Sequence, residues 1–150
     1  MPRIEQSVEI NAPLDRVYQV ARDVETFPQF MQDLKSLVVL ERSEDGNRTV
    51  TEWTGLIREF KMVVKWTQED VWDSASHRDD FKMLQGDMNS MRGFWQFTAS
   101  ETGTRFDPVM DYEYDVPLIG PMIKSLIKKK MTDNLQLTLE AIKAKAESAD

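Results

Sequence analysis

The chain has 150 residues, a formal net charge of −7 at pH 7 and no cysteine. The acidic balance argues against direct binding of nucleic acid, and the lack of cysteine excludes disulfides, thiolate chemistry and Cys-ligated metal sites. The N-terminus has no apolar run like that of a signal peptide, and no stretch approaches the length of a membrane span. We therefore expect one domain over residues 1–150, located in the cytoplasm.

The N-terminal part of the sequence predicts one strand and two short helices. Apolar and charged or polar residues alternate over residues 4–10, which is typical of a strand with one buried face. From Leu14 the apolar residues recur at helical spacing, and this helix should end near Asp23. Thr26 is a suitable N-cap for a second short helix, whose apolar positions run to Leu34.

Residues 35–116 predict about six strands joined as a meander. Turn-forming residues recur at 44–47, around Glu59, and at 73–76, 86–87 and 102–103. Between these turns, Met62, Val64 and Trp66 mark one of the alternating runs, so the sheet should have one wet face and one apolar, aromatic face. Pro108 cannot donate a ladder hydrogen bond, and we expect a bulge or a sheet edge there.

The segment over residues 117–146 predicts one long amphipathic helix. Pro121 suits a first helical turn, and no Gly or Pro follows it in this segment. The apolar residues step by four, so their stripe winds slowly around the helix axis. The members of this stripe are Ile119, Ile123, Ile127, Met131, Leu135 and Leu139. A winding stripe suits a helix that lies across a twisted, curved sheet.

Several stretches of the chain carry a family resemblance. They are INAPLDRVYQVARDVETFPQF (10–30), RGFWQF (92–97), GTR (103–105) and YEYDVPLIGP (112–121). The sequence resembles the START-related, birch-pollen-allergen-like helix-grip superfamily, and within it the polyketide cyclase/dehydrase and coenzyme Q-binding branch. The resemblance implies an α+β helix-grip fold. In this fold a curved antiparallel sheet of about seven strands wraps round a long C-terminal helix, and two short helices lie between strands 1 and 2.

No group of residues in the sequence is typical of a catalytic or metal site. His77 is the single histidine and falls in a predicted turn, where we expect it to be exposed and inert. No G-x-S-x-G, P-loop or G-x-G-x-x-G motif is present, and we predict no catalytic residue, no metal and no cofactor. A cyclase of the kind that the family contains would need polar groups in its cavity. The candidates are Tyr112 and Tyr114, then Arg58, in a predicted turn, and Arg92, which alternation places toward solvent.

Aromatic residues and methionine are abundant, with four Trp, seven Phe and nine Met. Taken without the family resemblance, these residues predict an ordinary packed core. Together with the resemblance, they predict a cavity between sheet and helix for a hydrophobic small molecule. The predicted ligand-binding residues are Phe27, Phe30, Met31, Trp53, Trp66, Phe81, Trp95, Met110, Tyr112, Tyr114, Ile123, Ile127, Met131 and Asn134. On a helical wheel Asn134 and Thr138 also face the sheet, unless the winding of the helix turns them away. Buried polar groups there would need partners.

Three functions stay open on the sequence alone. We prefer binding or transport of a lipid, isoprenoid quinone or polyketide-like molecule; the alternatives are a polyketide cyclase/dehydrase-like enzyme and a ribosome-associated toxin-like interaction protein. An apolar sleeve favours the binder, convergent ionisable or phenolic groups favour the enzyme, and a filled core favours the interaction protein. The cluster of Lys124, Lys128, Lys129 and Lys130 predicts a solvated helix face or, as the alternative, transient contact with a membrane surface. The oligomeric state cannot be read from the sequence.

Overall fold

The computed structural model describes residues 2–31, 34–57, 61–114 and 121–148. In chain order its elements are β1 (Arg3–Glu5), β2 (Val8–Ile10), α1 (Leu14–Arg22), a 3₁₀ helix (Val24–Gln29), β3 (Leu34–Arg42), β4 (Arg48–Ile57), β5 (Met62–Asp73), β6 (Arg78–Gly86), β7 (Ser90–Ser100), β8 (Gly103–Glu113) and α2 (Pro121–Glu147). None of the described helices is both long enough and apolar enough to cross a membrane.

The strands form one antiparallel sheet in the order β1-β8-β7-β6-β5-β4-β3, and β2 also pairs with β8. Strands β3 to β8 are therefore the predicted six-stranded meander, and the helix-grip prediction is confirmed. The N-terminal strand is divided in two because it passes Pro108: Gln6 N donates to Pro108 O at 3.2 Å, but the proline nitrogen cannot return the bond. The register is the same on both sides, so the expected bulge at Pro108 was wrong, and β8 is not a sheet edge.

Two short helices connect β2 to β3, as predicted, but the second is shorter than expected. It is a 3₁₀ helix that ends at Gln29, and Leu34 is the first residue of β3. The Thr26 hydroxyl donates to the backbone oxygen of Asp23 at 2.8 Å and does not cap the helix. Pro28 lies inside this helix and lacks the amide hydrogen that continued α-helical bonding would use.

Helix α2 begins at Pro121, as predicted, and packs on the sheet through two groups of buried side chains. Leu139 and Ile142, near its C-terminus, belong to one group with Phe106 of β8. Met131, nearer its N-terminus, packs against a second group that contains Phe81 of β6. Partly buried residues from both groups border a space that neither group fills.

Two local features distinguish the sheet beside this space: a close approach at Gly93 and a register shift between β5 and β6. A Cβ atom at Gly93 would lie 2.0 Å from Val109 O and 2.9 Å from the Phe81 ring, so only glycine fits between these groups. The β5–β6 ladder shifts its register between Thr67 and Gln68, and such bulges increase local bending and re-aim the side chains that follow.

Candidate functional site

A cavity of about 470 Å³ lies between the sheet and α2. Small-molecule sites in proteins usually have volumes of roughly 300–1,000 Å³, so this space is large enough for a ligand. Its walls come mainly from β4 to β8 and from α2. The aromatic and methionine side chains of the lining are Phe30, Met31, Trp53, Trp66, Phe81, Met88, Met91, Trp95, Met110, Tyr114 and Met131.

Tryptophan rings form the flat part of the wall. Trp53 and Trp66 are direct cross-strand partners, and their rings stack with centroids 5.7 Å apart and planes 11° apart. Trp95 meets Phe81 edge to face, with ring centroids 6.5 Å apart. Rings held in this way offer surfaces against which a planar ligand can stack.

The structure brings most of the predicted ligand-binding residues to the cavity. Those in its lining are Phe30, Met31, Trp53, Trp66, Phe81, Trp95, Met110, Tyr114, Met131 and Asn134. Phe27, Tyr112 and Ile127 are not in the lining; each is at most 3% exposed and belongs to the packed interior. The Ile123 side chain lies outside the part of the chain that the structure describes. Contact between any of these residues and a ligand stays a prediction.

Phe27 and Tyr112 stand one layer behind the cavity wall. The Phe27 ring is fully buried, and its centroid lies 5.8 Å from Phe30 and 6.1 Å from Trp53, both of which do line the cavity. Tyr112 has the inward orientation that alternation along β8 predicts, but it is buried in the core group around Ile4. A buried, inward-facing side chain therefore need not reach the cavity surface.

Gln68, Asp70 and Asp79 form a polar patch in the cavity wall that the sequence interpretation missed. Gln68 is 7% exposed, Asp70 is 4% exposed and Asp79 is 1% exposed. The signal for them was present, because side chains two residues apart on a strand share a face. Trp66 was assigned to the inner face, and the same alternation continues through Gln68 and Asp70. Phe81 was also assigned to that face, so Asp79, two residues earlier on the same strand, should face inward too.

A chain of hydrogen bonds connects the aromatic wall to this polar patch. Trp66 Nε1 donates to Gln68 Oε1 at 2.7 Å, and Gln68 Nε2 donates to Asp70 Oδ1 at 2.8 Å. The Asp70 carboxyl in turn lies beside the Asp79 carboxyl, and each affects the pKa of the other. A hydrogen bond between two carboxyl groups requires a proton on one of them.

The surroundings assign that proton to Asp79. Burial raises the pKa of Asp79 well above its usual range, and the negative charge of Asp70 raises it further. Burial also raises the pKa of Asp70, but hydrogen bonds from Asp79 and Gln68 oppose the rise. Asp79 is therefore the member of the pair that keeps its proton to higher pH, in the arrangement expected when two carboxyl groups meet in an apolar site.

The polar residues of α2 lie in the cavity wall where the helical wheel placed them. The Thr138 hydroxyl donates to Asn134 O at 3.0 Å, so this hydroxyl is satisfied within the helix. The Asn134 side chain lines the cavity and makes no hydrogen bond to the residues that the structure describes. Across the cavity, burial raises the pKa of the Tyr114 phenol, and the nearby Asp87 raises it further. Tyr114 is therefore a neutral phenol at physiological pH.

The remaining candidates for chemistry lie away from the cavity lining. His77 Nε2 lies 3.0 Å from Asp15 Oδ1, and its ring packs edge-on against Tyr18 with centroids 5.1 Å apart. Its side chain is only 22% exposed, so the expectation of an exposed histidine was wrong. Arg92 is exposed, on the face opposite the cavity, as expected. Arg58 lies outside the described residues.

The lysine cluster stands on an exposed part of α2. Lys124, Lys128 and Lys129 are exposed, and Met122 nearby is 77% exposed. This placement suits both a solvated helix face and contact with anionic headgroups. Membrane contact therefore stays a prediction.

Comparisons with known proteins identify a family and solved structures with the same fold. The family described as polyketide cyclase/dehydrase and lipid transport matches residues 10–137. Among curated protein sequences, none matches this chain significantly. A solved protein from Thermus thermophilus is 29% identical, with a TM-score of 0.90 over 97% of both chains.

Two further solved structures have the same fold at lower identity. The Zhui aromatase/cyclase from a Streptomyces species is 18% identical, with a TM-score of 0.87 over 97% of this chain and 93% of that chain. A START superfamily protein from Mycobacterium smegmatis is 20% identical, with a TM-score of 0.80 over 97% of both chains. At these identities the likeness shows a shared fold alone. Because the family match spans most of the sequence, the protein belongs to the polyketide cyclase/dehydrase and lipid transport family.

Proposed function

We propose that this protein binds a hydrophobic, partly aromatic or isoprenoid small molecule in the cavity beneath α2, as a carrier. The observation that carries the proposal is the 470 Å³ space with its wall of tryptophan, phenylalanine and methionine side chains. Methionine adapts to ligands of different shape, and tryptophan provides flat apolar surface. A ribosome-directed interaction protein was expected to have a filled core, and the described residues do not form one.

Native mass spectrometry of protein isolated gently from cells tests this function. We expect an added mass that organic extraction removes, because an apolar ligand should survive aqueous purification inside the cavity. Ala141→Phe should lose the added mass, since Ala141 lines the cavity and a larger side chain there takes up the cavity volume. The proposal fails if no added mass is found and no apolar probe binds to the purified protein.

A polyketide cyclase/dehydrase-like enzyme is the second candidate, and the Asp70–Asp79 pair favours it. These two ionisable groups meet at one point of a predominantly apolar cavity. A carboxyl pair with one proton can donate at one group and accept at the other, as an enolisation or dehydration requires. The Zhui aromatase/cyclase has the same fold.

Proton exchange in a simple diketone separates the carrier from the enzyme. Benzoylacetone has acidic hydrogens between its two carbonyl groups, and their replacement by deuterium can be followed by NMR. Acceleration by the wild-type protein, lost in Asp79→Asn, would support acid–base chemistry, because an amide cannot transfer the proton. An exchange rate equal to that of buffer, with tight binding of the same compound, would leave the carrier as the function.

A further inference from the structure

The Asp79 carboxyl is a buried group whose hydrogen bonds the protein does not complete. It is 1% exposed and lines the cavity, and the Asp70 carboxyl is its partner. Asp79 Oδ1 has no hydrogen-bond partner among the described residues. A carboxyl group has two oxygens, so the contact with Asp70 leaves hydrogen-bonding capacity unused. Buried polar groups in proteins seldom lack a hydrogen-bond partner, so an unpartnered oxygen here suggests a ligand or water as its partner.

The neighbours of Asp79 hold the carboxyl in place. The Tyr18 phenol lies near enough for the charge of Asp79 to affect its pKa, but neither the Tyr18 hydroxyl nor Asp79 Oδ1 has a hydrogen-bond partner among the described residues. The cross-strand partners of Asp79 are Trp72 on β5 and Trp95 on β7, two large side chains whose rings meet at 6.5 Å. Gln68 holds Asp70 from the other side through a bond of 2.8 Å. Both carboxyls belong to the cavity lining and are held there by packed neighbours, so a ligand would find them already in place.

Charge restricts what this group can bind. The carboxylic acids of the described lining are Asp70, Asp79 and Glu140, and no Lys, Arg or His belongs to that part of the lining. An anionic ligand would lose its hydration there and would meet the negative charge of the aspartate pair. A neutral ligand with a hydroxyl group meets no such penalty and can donate to the unused oxygen.

We propose that the carboxyl pair is the polar recognition element of the cavity, in which Asp79 accepts a hydrogen bond from a hydroxyl group of a neutral, ring-containing ligand. This inference rests on the proposed binding function and narrows its ligand class. The ring lies against the stacked tryptophans, and the hydroxyl points toward the carboxyl pair. Trp66 connects the two features, because it belongs to the stack and donates to Gln68. Fatty acids and other carboxylates are outside this class.

Three naphthalene probes test the proposal on the wild-type protein at neutral pH. β-Naphthol presents the hydroxyl, β-naphthyl methyl ether keeps the ring and oxygen but cannot donate, and β-naphthoate carries a negative charge. Affinities are measured by quenching of tryptophan fluorescence and checked by calorimetry. We expect β-naphthol to bind about tenfold more tightly than the ether, and β-naphthoate to bind most weakly.

Two substitutions locate the preference at Asp79. In Asp79→Asn the amide N–H can donate to Asp70 while the carbonyl oxygen still faces the cavity, so the preference for β-naphthol over the ether should persist. Asp79→Val removes the acceptor, and the two affinities should then agree within about twofold. Asp45→Asn, in the exposed turn after β3, is the matched control and should keep the wild-type ratio.

The outcomes separate this inference from the function on which it rests. If wild-type protein binds β-naphthol and its methyl ether equally well, the recognition element is refuted while the binding cavity stands. If β-naphthoate binds as tightly as β-naphthol, the charge argument is refuted. If none of the three probes binds, the proposed function itself fails. The wild-type comparison decides the question even if Asp79→Val does not fold.

Discussion

Two alanines of α2 provide a controlled test of whether the space beneath this helix is real. Ala141 lines the cavity, whereas Ala146 is 2% exposed and belongs to the packed core. Phenylalanine at Ala141 has empty volume to enter, and burying its ring stabilises by up to roughly 1.5–3 kcal/mol. Phenylalanine at Ala146 has no such volume, and overpacking a core costs roughly 1–3 kcal/mol. For a chain of this length that cost lowers Tm by about 2–12 °C.

Thermal unfolding followed by circular dichroism, together with a β-naphthol titration, measures both effects. Ala141→Phe should keep or raise Tm and weaken probe binding at least about tenfold, because the ring occupies the space that the probe needs. Ala146→Phe should lower Tm and leave the affinity of the folded protein unchanged. Equal losses of Tm in the two variants would show that Ala141 is packed like Ala146, and would refute the cavity.

The other predictions concern charge, the histidine and the long helix. The raised pKa of Asp79 contributes stability that is fully present below the ordinary aspartate value, near 4, and is lost as the pH rises through the folded-state value. Asp79→Asn should therefore gain stability relative to wild type as the pH rises from 4. The gain is about 1.4 kcal/mol for each tenfold difference in the proton affinity of Asp79 between the folded and unfolded states. Parallel curves of Tm against pH for the two proteins would contradict this. His77→Ala removes the contacts with Tyr18 and Asp15, so it should lower the free energy of unfolding by about 1–2 kcal/mol in urea titrations. The affinity for β-naphthol should not change. A tenfold loss of affinity would show that the ligand-binding site includes His77. A chain that ends at Val116 lacks α2 and exposes the apolar inner face, so it should aggregate or bind hydrophobic dye as a molten globule; a soluble fragment with cooperative unfolding would contradict the architecture.

The sequence predicted those parts of the fold whose pattern repeats over many residues. Alternation over β5 and β8 identified both strands and their inner faces, because one wet and one buried face impose a period of two. The start of α2 was predictable at Pro121, where a missing amide hydrogen is tolerated. The 3₁₀ helix was harder, because a run of six residues has too few turns to reveal its period.

The cavity surface was only partly predictable, since a pattern shows which face a residue takes but not how far the opposite wall stands. Ile127 and Met131 belong to one stripe of α2, yet Ile127 is 3% exposed in the packed interior while Met131 lines the cavity. Asp70 and Asp79 were missed for another reason: acidic residues in strands usually face water, so inward parity alone is a weak signal for a buried carboxyl pair.

A crystal structure of the protein grown with β-naphthol tests the central claim most directly. The account predicts the naphthalene ring between the sheet and α2, against Trp53 and Trp66. Its hydroxyl should lie within about 3 Å of an Asp79 carboxyl oxygen. A β-naphthol molecule bound only at the outer surface, or an interior closed by collapsed side chains, would contradict it.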